Sequence, residues 1–352
     1  MYRCLDLARL GTGNTAPNPI VGAVLVYEDR IIGEGYHKVY GEAHAEVNCI
    51  QSVKLEDQDL IRRSTLYVSL EPCAHFGKTP PCADLIISKN IPRVVIGCRD
   101  PFQEVNGKGI EKLKAAGVEV VSGVLEAECM EINKRFFTFH ITHRPYIILK
   151  WAQSGNGKTG NSDHSRRLIT NACSNRLVHK WRAEEMAIMV GTNTALYDDP
   201  ELTTRLWPGK SPLRLVVDMN LRLPGHLKLF TTDTTTIVFN KYKHTLPLKK
   251  ISFTDLRTFQ LAYYQVTEDV NLVHQVTNAL TQLNIQSLII EGGTRLLQSF
   301  IDEGLWDEAR VFTNQDLIIE NGLAAPELKD HQLVSRKSIE SDTLHIYQPI
   351  YS

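Results

Sequence analysis

His44 and Glu46 stand two residues apart in HAEVNCI, and Cys73 and Cys82 follow in EPCAHFGKTPPC. One imidazole and two thiolates make a three-ligand zinc set. Three protein ligands leave the fourth tetrahedral position to water, the arrangement of a catalytic site. Zinc acidifies its water, and a neighbouring carboxylate such as Glu46 can take up the proton and pass it on. That is the chemistry of hydrolytic deamination, in which water adds to an amino-bearing ring carbon and the leaving amine needs a proton. Zinc nucleobase deaminases carry H-x-E…P-C-x-x-C, with the glutamate not a ligand. Here H-A-E and P-C fit, but eight residues separate the cysteines instead of two. A closed, structural zinc would need a fourth ligand, for which His75 is the candidate.

A second group lies towards the C-terminus. In IIEGGTRLLQSF a strand ends at Glu291, two glycines follow and a helix begins. Such a turn brings backbone N–H groups up to a phosphate at a helix N-terminus. Strand–Gly–Gly–helix turns are also common structural joints, and this one is not G-x-G-x-x-G. VGTNTALYDDPELTTR adds a threonine-rich turn, paired aspartates and Arg205. Asp198–Asp199–Pro200 reads equally as a capped turn, and Arg182 in HKWRAEE equally as an exposed helix cation. Arginine suits a phosphate because its fork binds two oxygens.

These residues need elements to hold them. NPIVGAVLVYEDRIIGEGYH reads as two strands joined by the polar tip YEDR, a hairpin. AEVNCIQSV spaces Val47, Ile50 and Val53 three apart, a helical stripe. STLYVSL and RVVIGCRDP read as strands around the helix CADLIISKN, so His44 and Cys82 fall near helix N-termini and Cys73 just past a strand. Proline before Cys82 suits a first helical turn, and helix N-termini favour thiolates. GIEKLKAAGVEVVSGV is a helix ended at Gly117, then a strand. At His143–Arg144–Pro145 the pattern breaks and YIILKWA opens a second half of strands (AIMVG, LRLVVD, TTIVFN, SLIIEGG) and helices (SNRLVHKWRAEEM, RLLQSFIDEG). Residues 240–275 are polar and poorly patterned. Alternation of this kind implies sheets covered by helices, an α/β class.

With 352 residues, about two domains are expected, each long enough for its own core. Hydrophobic residues at 43% and charged residues at 22% describe an ordinary globular chain. The net charge of −1 weighs against nucleic acid as the main partner. Seven scattered cysteines argue for a reducing compartment rather than a disulfide framework. Outside the zinc set, Cys4, Cys49, Cys98, Cys129 and Cys173 are expected to be buried small hydrophobes. MYRCLDLARLGTG is a short amphipathic helix with internal charges, not a signal peptide. No apolar run approaches the length of about 20 needed to cross a bilayer, and a cytoplasmic protein is expected.

TAPNPIVGAVLV, GEGYHKVYGEAHAE and above all EPCAHFGKTPPC resemble the bifunctional deaminase/reductase family of riboflavin biosynthesis. P-C-x-x-x-G-x-T-P-P-C is that family's variant of the deaminase motif, and the likeness runs through nearly the whole chain. It implies a cytidine-deaminase-like domain over 1–144, a sheet flanked by helices, and a dihydrofolate-reductase-like α/β domain over 145–352. It further implies that several residues precede the position of Met1. By resemblance, His44, Cys73 and Cys82 hold zinc, Glu46 shuttles the proton and Asn18 lies near the substrate. NADPH contacts map onto Ala152, Leu168, Thr194, Asp198, Met219 and the turn Gly293, Thr294, Arg295, Leu296, Leu297, Gln298 and Ser299. Substrate contacts map onto Arg166, Arg182, Leu202, Arg205 and Glu291. The chain departs from the family at Asn156, where aspartate is usual, at Leu168, where tryptophan is common, and at Met219, often serine. A small phosphoribosylaminopyrimidine is the implied partner, with neither nucleic acid nor membrane, and a homo-oligomer, dimer or tetramer, is expected. Two rivals remain open. A deaminase of tRNA or single-stranded DNA is opposed by the neutral charge. A non-enzymatic zinc-stabilised scaffold is opposed by Glu46 beside a three-ligand set.

Overall fold

The apolar runs GAVLVY and RIIGEGY pair as an antiparallel hairpin, β1 (Gly22–Tyr27) and β2 (Arg30–Tyr36), turning at Glu28 in the left-handed region. The structure is a computed structural model that describes residues 1–76, 80–102, 105–163, 165, 167–247 and 251–350. It falls into two units, Met1–His143 and Arg144–Ser352.

In the first unit, α1 (Tyr2–Arg9) precedes the hairpin, and α2 (Ala45–Gln51) follows it. A 3-10 helix, Leu55–Arg63, leads to β3 (Thr65–Leu70). Then come α3 (Cys82–Ser88), β4 (Arg93–Cys98), α4 (Lys108–Ala115) and β5 (Glu119–Ser122). The unit closes with α5 (Glu126–Ile132) and α6 (Lys134–Thr142). The sheet runs β2-β1-β3-β4-β5, antiparallel from β2 to β3 and parallel from β3 to β5. Its core gathers Ala23, Leu25, Leu66, Val68, Val94 and Ile96 from the strands with Cys49, Ile50 and Ile86 from the helices. The stripe expected on α2 is turned. Ile50 and Val53 are buried, but Val47 is only half-buried, and Ala45, Glu46 and Cys49 take the inner face. Packing against the sheet thus carries Glu46 inward, which spacing of apolar residues alone did not show.

The second unit opens with β6 (Tyr146–Ser154), β7 (Lys158–Asn161) and α7 (Ala172–Glu184). Next are β8 (Ala187–Gly191), α8 (Thr192–Asp198), β9 (Leu213–Val217), α9 (Lys228–Thr231) and β10 (Thr236–Asn240). The poorly patterned stretch holds α10 (Phe253–Leu256), β11 (Leu261–Gln265) and the start of α11 (Leu272–Gln282). Then follow β12 (Ser287–Glu291), α12 (Thr294–Asp302), β13 (Glu308–Asn314), β14 (Gly322–Ala324), β15 (His331–Ile339) and β16 (Asp342–Pro349). One sheet runs β11-β10-β9-β8-β12-β6-β13-β16-β15, and β7 pairs with β14 apart from it. From β11 to β13 the strands are parallel, and β16 and β15 add an antiparallel edge. The central strands are apolar on both faces, as covered parallel strands must be. All four tryptophans, Trp151, Trp181, Trp207 and Trp306, belong to this unit.

Four of the five cysteines expected in the core are buried, but Cys173 is exposed on α7, its thiol donating to Glu340. It sits in the first turn on the face opposite Ser174 and Val178, where the helix meets solvent. Among the described residues no helix is long and apolar enough to cross a membrane.

Candidate active sites

His44 is the N-cap of α2, Cys82 the first residue of α3, and Cys73 lies three residues beyond β3. Helix starts and strand exits thus converge, and the three ligand atoms lie within 4.8 Å of one another. His44 Nδ1 stands 3.3 Å from Cys82 Sγ and 3.6 Å from Cys73 Sγ. Zinc bond lengths at a tetrahedral angle require a nitrogen–sulfur separation of roughly 3.5 Å, so the donors present fit zinc. The backbone N–H of Cys82 donates to Cys73 Sγ at 3.3 Å. That Cys82 neighbour holds the Cys73 thiol down at about 4, while Cys73 in turn pushes Cys82 up, as two sulfurs sharing one proton must. Among the described residues His75 is no part of this group, which leaves a closed four-ligand site without its fourth member.

Glu46, in the first turn of α2, is 4% exposed. Burial, and then the charge on Cys73, raises its carboxyl to about 7. Beside the cluster, His37 and His44 meet edge to face with ring centroids 5.3 Å apart. His37 Nδ1 lies 3.1 Å from the carbonyl of Ala43, and a carbonyl only accepts. Nδ1 therefore carries the proton, and Nε2 accepts from Asn18 Nδ2 at 3.2 Å. The Asn18 amide is thereby fixed with its oxygen free of His37. The motif GEGYH contained His37, but nothing in the spelling of the sequence tied it to Asn18.

The second site occupies the carboxyl ends of the parallel strands, where open α/β sheets bind ligands. β12 ends at Glu291; Gly292 and Gly293 follow with φ of 94° and 77°, and α12 begins at Thr294. A Cβ on Gly292 would stand 3.2 Å from Thr194 Cγ2, and one on Gly293 would stand 3.4 Å from Thr194 Oγ1. Glycine, a free helix N-terminus and the Thr194 hydroxyl thus form a cradle suited to a dinucleotide phosphate. Thr194 and Asp198 lie on α8, Met219 two residues beyond β9, and Ala152 on β6. Arg295, Leu296, Leu297, Gln298 and Ser299 continue α12, where Leu296 and Leu297 are buried. Leu168 is 80% exposed. Arg166 lies outside the described residues.

Arg182 is no exposed cation. Its fork donates to both oxygens of Glu291, at 2.9 and 2.8 Å, and to the carbonyl of Thr203. Lys150, opposite Glu291 across β6 and β12, adds an ammonium at 3.8 Å. Burial would raise the Glu291 carboxyl, but Arg182 and then Lys150 hold it down at about 2. Lys150 escaped the sequence reading because one lysine inside YIILKWA reads as the polar position of a strand. Arg205 is exposed and bonds Glu201 at 2.7 Å, and its backbone N–H donates to His179 Nδ1 at 2.9 Å. Leu202, in the left-handed region, is 2% exposed. Asn156 accepts from Ser154 and holds the carbonyl of Ile319, a turn role that an amide performs.

Residues 1–98 match the family described as the cytidine and deoxycytidylate deaminase zinc-binding region, and residues 145–315 match the RibD C-terminal domain. The riboflavin biosynthesis protein RibD of Aquifex aeolicus is 39% identical over 347 residues, 97% of this chain and 94% of that protein. Its counterpart in Bacillus amyloliquefaciens is 37% identical over 93% of this chain and 86% of its own. The crystal structure of a diaminohydroxyphosphoribosylaminopyrimidine deaminase/5-amino-6-(5-phosphoribosylamino)uracil reductase from Thermotoga maritima superposes with a TM-score of 0.88. It is 33% identical, and the match spans 99% of this chain and 97% of that one.

Proposed function

This chain belongs to the RibD family of riboflavin biosynthesis proteins, and from that premise we propose how its two units divide the family's two reactions. The first unit deaminates 2,5-diamino-6-(5-phosphoribosylamino)pyrimidin-4(3H)-one. The second reduces the ribosyl chain of the resulting 5-amino-6-(5-phosphoribosylamino)uracil to its ribityl form. The observation that carries this reading is the His44–Cys73–Cys82 cluster with the buried Glu46 beside it.

When bound by these three residues, zinc makes a water acidic enough to lose its proton near neutral pH. Glu46, buried beside the cluster, would accept a proton on a carboxylate oxygen and return it to the departing amine. Asn18, its NH2 held by His37, offers its oxygen to an N–H of the pyrimidine. In the second unit, NADPH held at the Gly292–Gly293 turn would supply hydride for the reduction of the substrate's ribosyl carbon. The Gly292–Gly293 turn and the start of α12 receive a cofactor phosphate. Arg205 reads the substrate phosphate, and the Arg182–Glu291–Lys150 cluster presents donors and an acceptor to the sugar hydroxyls. A cytoplasmic homo-oligomer, dimer or tetramer, completes the proposal, and light scattering on the purified protein reads its size.

Incubating the protein with the diaminopyrimidine phosphate, with and without NADPH, followed by mass spectrometry, tests the reading. Without NADPH only the deaminated ribosyl compound should form, and with it the ribityl compound. No mass change would reject the deaminase, and no NADPH-dependent conversion of the supplied deaminated ribosyl compound would reject the reductase.

A further inference from the structure

Two residues before Cys73 stands Glu71, a carboxylate only 4% exposed. Among the described residues no side-chain cation pairs with it. It accepts four backbone N–H groups instead. Oε2 takes those of Asp100 at 3.3 Å and Gly107 at 3.0 Å, and Oε1 those of Gly109 at 3.0 Å and Ile110 at 3.2 Å. Gly107 is the N-cap of α4, and that helix has no side-chain cap of its own. The first N–H groups of a helix have no partner within it and favour a negative charge. Glu71 supplies that charge from 36 to 39 residues away in sequence.

The same segment presses on the ligand loop from another direction. A Cβ on Gly109 would lie 1.9 Å from the carbonyl oxygen of Pro72, the residue between Glu71 and Cys73. The far side of Cys73 is tied as well, its carbonyl accepting from Ala83 and its sulfur from Cys82. The backbone of Cys73 is therefore held between the start of α3 and the start of α4, and Glu71 is the bolt on the α4 side.

We propose that Glu71 is a positioning residue of the zinc site. By capping α4 from the strand exit, its carboxylate fixes the Pro72–Cys73 backbone and so sets where Cys73 Sγ stands against His44 Nδ1 and Cys82 Sγ. The proposal rests on the reading that these three residues hold zinc. In Glu71→Gln an amide NH2 faces N–H donors, so part of the clamp loses its acceptor while size and shape are kept. Residues that orient metal ligands typically change metal affinity 10–100-fold when altered.

The test loads wild type and Glu71→Gln with Co2+ in place of zinc and records the thiolate-to-metal and d–d absorption bands. A chelator competition gives the zinc affinity. Expected are a shifted d–d spectrum and a 10–100-fold weaker zinc affinity, with NADPH oxidation on the deaminated substrate unchanged. A cobalt spectrum identical to wild type overturns the proposal whatever the affinity, because lost stability alone weakens binding without moving the bands. Should Glu71→Gln not fold, Glu71→Asp keeps the charge but shortens the reach to the four N–H groups, and is judged by the same spectrum. If wild type takes up no cobalt, or Cys73→Ser gives the wild-type spectrum, the zinc reading itself fails, and the role of Glu71 falls with it.

Discussion

A carboxylate can relay a proton only where it is held beside the reacting groups, and Glu46 is held so, buried on the inner face of α2 next to His44. Glu46→Gln keeps the shape but cannot carry the proton. Deamination should fall by about 10²–10⁴ while atomic absorption still finds one zinc per chain; a wild-type rate would remove Glu46 from the chemistry. Cys73→Ser should lose most zinc and destabilise the first unit, because metal binding is coupled to folding. Cys98→Ala, in the apolar cluster with Cys129 and Phe136, should retain it. Full occupancy in Cys73→Ser would strike that residue from the ligand set. At this scale the sequence was readable where residue type and spacing jointly restrict the chemistry, as in H-A-E with P-C. Lys150 and His37 were not readable, since each acquires its partner through pairing between distant segments.

Elements convert these local preferences into positions. The loop after α8 brings Arg205 forward and is anchored by its backbone to His179 on α7. Arg205→Ala should raise the reductase KM for the phosphorylated substrate and leave a dephosphorylated analogue nearly unaffected. Equal sensitivity with both substrates would mean that Arg205 does not read the phosphate. On α6, His140 packs among Phe102, Phe136 and Phe139, and burial lowers it to about 4. The unfolded chain, near 6.5, then binds the proton more tightly than the folded one. The stabilising contribution is whole above about 6.5 and is lost as pH falls towards 4. Melting of the first unit should show this slope, and His140→Leu should flatten it; an unchanged slope would assign the effect to other groups. Apolar periodicity disclosed the hairpin β1–β2, α7 and the turn into α12. It did not disclose the 3-10 helix Leu55–Arg63 or the outermost strand β15, whose residues are mostly exposed, nor β16, where only Asp342 and Leu344 are buried. The orientation of α2 was misjudged for a related reason, because its buried face includes the ionisable Glu46.

For the whole molecule, the zinc candidates lie within residues 44–82 and the proposed cofactor and arginine positions beyond residue 150, each set inside one unit. The two activities should therefore separate. Glu46→Gln should still oxidise NADPH when given the deaminated ribosyl substrate. Gly293→Val puts a β-branched side chain at φ 77°, where the backbone must approach a phosphate. It should stop NADPH oxidation while ammonia release continues. Loss of both activities in both variants, each well folded, would mean a shared or obligately coupled site. The break in pattern at residues 143–145 was visible because a helix must stop before a proline-led strand can begin.

The placement of the tryptophans gives these experiments a built-in partition. With all four indoles in the second unit, ultraviolet-excited indole emission from this protein originates in that unit. A nicotinamide seated near β6, which carries Trp151, should quench it. Emission thus reports on the second unit, and circular dichroism followed on the same sample reports on both.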